Sequence, residues 1–294
     1  MSRLGDKYIA GFLDSDGCIT MEWKEIKRNF ESPLRKAHVV LKFAQLEEKD
    51  EVLYRIQEVV GGRISTRFMN GKCYCTHLIL SGKDAEMTLS RIQKHLVVKR
   101  HIAGIALEMN GKVMDRKEGT EYFKMHRKIK SYPLPNFPTR QWLAGYFDGD
   151  GCFSVRLPKD RNAVQFAAEI SASDYDSEGV ELISKVFGGS INQLCATKKN
   201  VVHFVLTLPP SKAKQFVGYF NKHLIVKKEQ SDFILGCADM GHYRDGISIK
   251  SAMKQLKAHP HRLNEPRPNA AVFLKDVREM SGKELYKPRT ACMI

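Results

Sequence analysis

Two aspartates, Asp16 and Asp150, stand in matching surroundings. Tyr8 to Ile19 reads YIAGFLDSDGCI, and Trp142 to Phe153 reads WLAGYFDGDGCF. Apolar residues at helical spacing predict a helix in each copy. Asp6 is placed to cap the first, and Thr139, after Pro138, to cap the second. Gly17 and Gly151 are expected to end them in the left-handed conformation. Asp16 and Asp150 then fall in a last turn, at the negative end of a helix dipole, where a carboxylate is unfavourable. Gly11 and Ser15 share one stripe of the first helix, as Gly145 and Gly149 do in the second. Glycine in a helix interior costs about 1 kcal/mol relative to alanine. A small stripe therefore makes sense if another helix comes close, and the obvious partner is the other copy. Two carboxylates brought together in this way raise a pKa or call for a cation. Mg²⁺ suits hard oxygen ligands and takes much of its shell from water and phosphate. A calcium loop also starts Asp-x-Asp-Gly, but its third oxygen ligand would fall at Cys18 and Cys152, which excludes it. Asp14 and Asp148 read as structural partners for nearby backbone groups.

The elements that must hold these acids repeat as well. Ala37, Val39, Leu41 and Phe43 alternate with Lys36, His38, Val40 and Lys42. This predicts a strand with one face on a core and one basic face exposed. A helix is expected over 50–60, ended by Gly61-Gly62, then a second hairpin around Asn70-Gly71 and helices over 83–95 and 99–109. In the second half, hairpins are expected over 152–170 and 190–208, with helices over 180–187 and 211–220. IQEVVGGRIS (Ile56 to Ser65) matches ISKVFGGSIN (Ile183 to Asn192), and KHLVVK (Lys94 to Lys99) matches KHLIVK (Lys222 to Lys227). Each half therefore reads α-β-β-α-β-β-α, an α+β class of fold with antiparallel sheets. The expected organisation is a first repeat over 1–110, a linker over 111–138, a second repeat over 139–240 and a basic extension over 241–294. The linker holds a basic helix over 121–130 and a proline-rich connector over 132–138. Helices are also expected over 248–258 and 269–280.

The chain has 294 residues and a formal net charge of +15. That excess favours a polyanionic partner, nucleic acid before membrane. No apolar run reaches the length of a spanning helix, and the first residues carry neither a signal core nor a transit pattern. Seven cysteines without CxxC spacing point to a reducing intracellular compartment with free thiols.

With these features in place, the sequence resembles the LAGLIDADG homing endonucleases in their single-chain, two-repeat form. IAGFLDSDG (Ile9 to Gly17) and LAGYFDGDG (Leu143 to Gly151) are close matches to the naming motif. The resemblance covers residues 7–240. It implies two motif helices packed on a pseudo-two-fold axis, with sheets forming a saddle over double-stranded DNA. It also implies that a monomer cuts both strands across the minor groove. Short 3′ overhangs, a long asymmetric target and intron homing belong to the same expectation. The metal ligands it implies are Asp16 and Asp150; a backbone contribution at position 15 and its equivalent is left open. Mg²⁺ is the implied cofactor, with Mn²⁺ as a substitute and Ca²⁺ as an ion that binds without supporting cleavage. The family's catalytic lysine falls by register on Lys99 and Lys227, and its water-ordering polar residue on Gln45. At the same distance before the second Gly-Gly pair stands Ala172, so Ser173 or Asp174 substitutes or that site lacks the helper. Readout is expected from Lys24, Arg28, His38, Lys42, Arg63 and Arg67 in one lobe. In the other it is expected from Arg156, Arg161, Gln165, Gln193, Thr197 and His203. The alternatives are an intron-RNA maturase and a non-catalytic DNA-binding regulator on the same scaffold; intact acids in both motifs favour the nuclease. An intein is not expected, since the sequence opens directly before the first motif.

Overall fold

A computed structural model describes residues 4–26, 34–69, 72–126, 133–156, 165–173, 177–195, 202–207, 210–240, 246–258 and 269–276. The first half runs α1 (Asp6–Asp14), β1 (Gly17–Glu25), β2 (Leu34–Gln45), α2 (Glu51–Val60), β3 (Arg63–Met69), β4 (Lys72–Ser81), α3 (Gly82–Ile92) and α4 (Arg100–Met109). β5 (Val113–Asp115) and α5 (Arg116–His126) follow. The second half runs α6 (Arg140–Asp150), β6 (Gly151–Arg156), β7 (Gln165–Ser173), α7 (Glu178–Phe187), β8 (Ser190–Cys195), β9 (Val202–Thr207), α8 (Pro210–Phe220) and α9 (Lys228–Met240). α10 (Gly246–Ala258) follows, and residues 270–276 form a further helical segment. Among the described residues, no helix is long and apolar enough to cross a membrane.

Each half is therefore an antiparallel sheet backed by helices, in the order β1-β2-β4-β3 and β6-β7-β9-β8. A second helix, α4 or α9, follows each α-β-β-α-β-β-α unit. β5 pairs with β2 from Leu34 to Lys36, so the start of the connector joins the first sheet. Alternation decides which face of β2 is covered: Ala37, Val39, Leu41 and Phe43 are fully buried, whereas Lys36 is exposed. α2 and α7 end where expected. Gly61 and Gly188 take φ of +74° and +72°, a conformation other residues resist.

The two halves share one core through α1 and α6. Tyr8, Phe12, Trp142 and Tyr146 are buried there, and the Trp142 and Tyr146 rings stack at 4.8 Å. The small stripe behaves as its sequence implies. A Cβ on Gly11 would stand 2.0 Å from the Trp142 carbonyl oxygen, and one on Gly145 would stand 2.1 Å from that of Tyr8. The contact is reciprocal, as a pseudo-two-fold axis requires.

Two expectations about the motif helices need correcting. Gly17 and Gly151 are absent from the left-handed glycines; Gly151 is extended, at φ −79° and ψ 154°. The chain passes from helix straight into β1 or β6, and glycine is needed there for space. A Cβ on Gly17 would lie 2.4 Å from Leu13 Cδ1, and one on Gly151 would lie 2.4 Å from Phe147 Cδ2. At the other end, Thr139 caps α6 through Oγ1, 3.3 Å from the Trp142 amide. Asp6 caps nothing: Gly5 holds the cap position of α1, and Asp6 pairs with Arg91 at 2.9 Å.

Candidate active site and nucleic-acid interface

α1 ends at Asp14, so Asp16 lies just past it in a turn, while Asp150 is the last residue of α6. The two motif ends abut. A Cβ on Gly149 would stand 2.0 Å from Ser15 Oγ and 3.2 Å from the Asp16 amide nitrogen. Burial pushes the Asp16 carboxyl up, while Lys227, Lys99 and a hydrogen bond from Gln45 draw it back. Lys227 belongs to the opposite half, so the two acids and two lysines act as one charge cluster. Gln45, at the end of β2, donates from Nε2 to Asp16 Oδ2 at 3.2 Å. Its Oε1 accepts the Leu46 amide at 3.0 Å, which fixes the amide's orientation.

Lys99 and Lys227 are both buried. The Lys99 ammonium donates to the carbonyl oxygens of Leu13, Asp14 and Ser15 at 2.9, 2.6 and 3.1 Å. The Lys227 ammonium donates to those of Asp148 and Gly149, the latter at 3.2 Å. Carbonyls left over at a helix C-terminus carry its negative partial charge. Each lysine therefore neutralises the end of a motif helix where an acid must sit. Burial pulls the Lys227 ammonium down; Asp148, Asp16 and Asp150 hold it up.

Asp14 and Asp148 fix the lysines in place, in the structural role expected of them. Asp14 accepts the Val97 and Lys99 amides at 2.7 and 2.8 Å and Trp142 Nε1 at 2.8 Å. Asp148 accepts the Ile225 and Lys227 amides at 2.7 and 2.9 Å and the Tyr8 hydroxyl at 2.7 Å. Each buried acid thus receives the aromatic donor of the opposite motif helix. Sequence reading missed this cross-bond; its trace was the donor-bearing aromatic at the first place of both copies. Burial pushes both carboxyls up, with Lys99 and Lys227 opposing. Three donors converge on each, so the ionised form is the one that fits the contacts. Asp148→Asn turns an amide toward those donors and strands at least one, for a loss of about 1–3 kcal/mol. Thermal unfolding should show a lower midpoint; an unchanged midpoint would contradict this anchoring role.

The acid pair fits a hard divalent cation. Among the described residues, no group of three or more His, Cys, Asp and Glu gathers as a ligand set. Two carboxylate-bearing helix ends, one acid disfavoured by burial, offer the sparse oxygen set that Mg²⁺ accepts when water and phosphate complete its shell.

The exposed sheet phase of the first half is basic. Lys24 pairs with Lys36 and Glu22 with His38, while Cys18 pairs with Lys42, Lys42 with Ile79 and Ile79 with Arg63. The same phase carries His77 and, opposite Cys75, Arg67. Burial and the neighbouring Arg67 and Lys42 charges pull the His77 imidazole down. His77 was not among the expected readout residues; the signal for it was its alternation with Thr76, Leu78 and Leu80, all of them buried.

In the second half, Arg156 is exposed and pairs with Glu169. Gln165 lies opposite Arg156, and His203 opposite Ser173, in that exposed phase. Gln193 lies opposite Phe204, which pairs with the buried Ala172, so its strand position is in the other phase. Arg28, Arg161, Thr197 and Asp174 lie outside the described residues. Register also fixes the comparison of helpers. Gly17 pairs with Phe43 and Gly151 with Ile170; two residues further on stand Gln45 and Ala172.

Comparison with known proteins agrees with this architecture. Residues 143–238 match the sequence model of the LAGLIDADG endonuclease family. No curated protein matches the chain. Among solved structures, the LAGLIDADG meganuclease I-AabMI bound to uncleaved DNA is 16% identical, over 85% of this chain and 98% of that one, with a TM-score of 0.59. The homing endonuclease I-GzeII in complex with its DNA target is 17% identical, over 86% and 97%, with a TM-score of 0.58. I-SmaMI bound to uncleavable DNA is 16% identical, over 86% and 98%, with a TM-score of 0.59. The structural likenesses give the fold, and the sequence match covers the second copy of the motif. The second half is thus similar to the LAGLIDADG endonuclease family over residues 143–238, and the same motif and order of elements recur in the first half.

Proposed function

We propose that this protein is a site-specific DNA endonuclease that makes a divalent-metal-dependent double-strand break. Its target is a long, mostly asymmetric duplex, its products carry short 3′ overhangs, and its cutting promotes intron homing. The observation that carries this reading is the acid pair at the abutting ends of two pseudo-symmetric helices, next to a basic sheet face. Asp16 and Asp150 hold Mg²⁺. When bound, Mg²⁺ supplies an activated water, neutralises phosphate charge and stabilises the leaving oxygen.

The chain's own residues prepare that site. Lys99 and Lys227 keep positive charge beneath the acids and add electrostatic stabilisation to the charge that develops at phosphate. Gln45 orients Asp16 and orders water beside it. Lys24, His38, Lys42, Arg63 and Arg67 meet the duplex from one lobe, and Arg156, Gln165 and His203 from the other. A two-stranded ribbon fits the major groove, where such side chains read base edges and phosphates.

The test begins by selecting bound duplexes from a randomised library. Those duplexes are then incubated with Mg²⁺ or with a chelator, each strand carrying its own label. Binding in both conditions and cleavage only with Mg²⁺ is expected. A protein that retains no duplex overturns the proposal. The same assay probes the missing counterpart of Gln45. Wild type should accumulate nicked duplex, and Gln45→Ala should slow one strand by about 10-fold, the scale for a partner that orients a ligand. Equal rates for both strands in wild type and variant would contradict that role.

A further inference from the structure

Beside the acid pair, the two exposed sheet phases differ in charge. Cys18, two residues after Asp16, lies opposite Lys42; Cys152, two residues after Asp150, lies opposite Glu169. The same strand position therefore holds a cation in one half and an anion in the other. Glu169 is engaged: it accepts from Ser154 Oγ at 3.1 Å and pairs with Arg156. An acid here repels phosphate and occupies the nearest arginine of its own sheet.

α10 brings a replacement from outside the repeat. Ile249, Ala252, Met253 and Leu256 form its buried stripe. Lys250 and Lys254 lie off that stripe and are exposed. Along its whole length, GISIKSAMKQLKA carries three lysines and no acid. The helix packs beside the edge strand β6. From its last turn, the Lys257 ammonium reaches Cys152 Sγ at 3.1 Å. It thus arrives at the strand position that Lys42 serves in the first half.

We propose that Lys257 is a backbone-phosphate contact of the second half-site, replacing through α10 the cation that Glu169 removes from the sheet. This rests on the DNA-endonuclease reading. It makes the C-terminal extension part of the nucleic-acid interface, and it gives the centre of the target a cation on each side from different parts of the fold. Lys257 is partly exposed, so its replacement leaves the core intact.

The test measures affinity of the full chain for a selected duplex across a salt series, for wild type, Lys257→Gln and Lys257→Arg. Each neutralised phosphate contributes about 0.9 to the slope of log K against log salt. Lys257→Gln should lower that slope by about one and weaken binding similarly across duplex sequences. Lys257→Arg should keep the wild-type slope. An unchanged slope in Lys257→Gln, with wild type binding normally, overturns the role of Lys257 alone. Failure of wild type to bind any duplex overturns the endonuclease reading and this inference with it.

Discussion

Asp16→Asn and Asp150→Asn should each abolish double-strand cleavage while leaving duplex affinity within a few-fold of wild type. The expected loss of rate is on the order of 10³-fold, the upper range for removing one electrostatic element of a preorganised site. Asparagine keeps the shape of the side chain and removes the negative charge on which the cation rests. The fold should tolerate the change. Burial already disfavours the charged Asp16 carboxyl, so a neutral amide relieves a desolvation penalty. Binding should persist if, as proposed, the basic strand faces rather than the acids meet the duplex. A combined loss of affinity, stability and cleavage would indicate that the acids hold the fold together. Retained cleavage would place the chemistry elsewhere.

The second large effect is at the helix crossing. In a solvent-facing helix, glycine to alanine stabilises by about 1 kcal/mol. At Gly11 or Gly145 the sign should reverse, because the added carbon meets a backbone carbonyl oxygen at 2.0 or 2.1 Å. Backbone cannot swing aside as a side chain can, so the helices must separate. Overpacking of this kind costs about 1–3 kcal/mol, and Gly11→Val should lie at or above the top of that range. With about 2–4 °C per kcal/mol for a chain of this size class, the midpoint should fall by roughly 10 °C. Separation also moves Asp16 away from Asp150, so cleavage should fall more than duplex binding. A midpoint at or above wild type for Gly11→Ala would show that the crossing is looser than described.

Much of this is legible in the sequence. Two copies of one string gave the helix pair, and the small stripe gave its closest contact, because only a packed neighbour makes glycine useful in a helix. Alternation from Ala37 to Phe43 gave the buried face of β2, and the Gly-Gly pairs gave two helix ends through a backbone rule that acts locally. The same rule misled at Gly17 and Gly151. There, glycine is required by the crowding of Leu13 and Phe147, which depends on how the following strand folds back. Tertiary bonds were out of reach for a related reason. A matched string fixed the positions of Lys99 and Lys227, but not that their ammoniums turn onto helix-end carbonyls. Nothing in spacing joins Tyr8 to Asp148, or Lys257 to Cys152. β5 is three residues long, too short for alternation to mark it.

The most direct test of the acid pair follows both strands of a selected duplex at saturating protein while Mg²⁺ is titrated. Wild type is compared with the Asp16→Asn/Asp150→Asn double variant. Wild type should cut both strands at rates that rise with Mg²⁺, and the double variant should hold the duplex uncut at every concentration. Cutting by the double variant at the wild-type rate would contradict the assignment of the chemistry to these two residues.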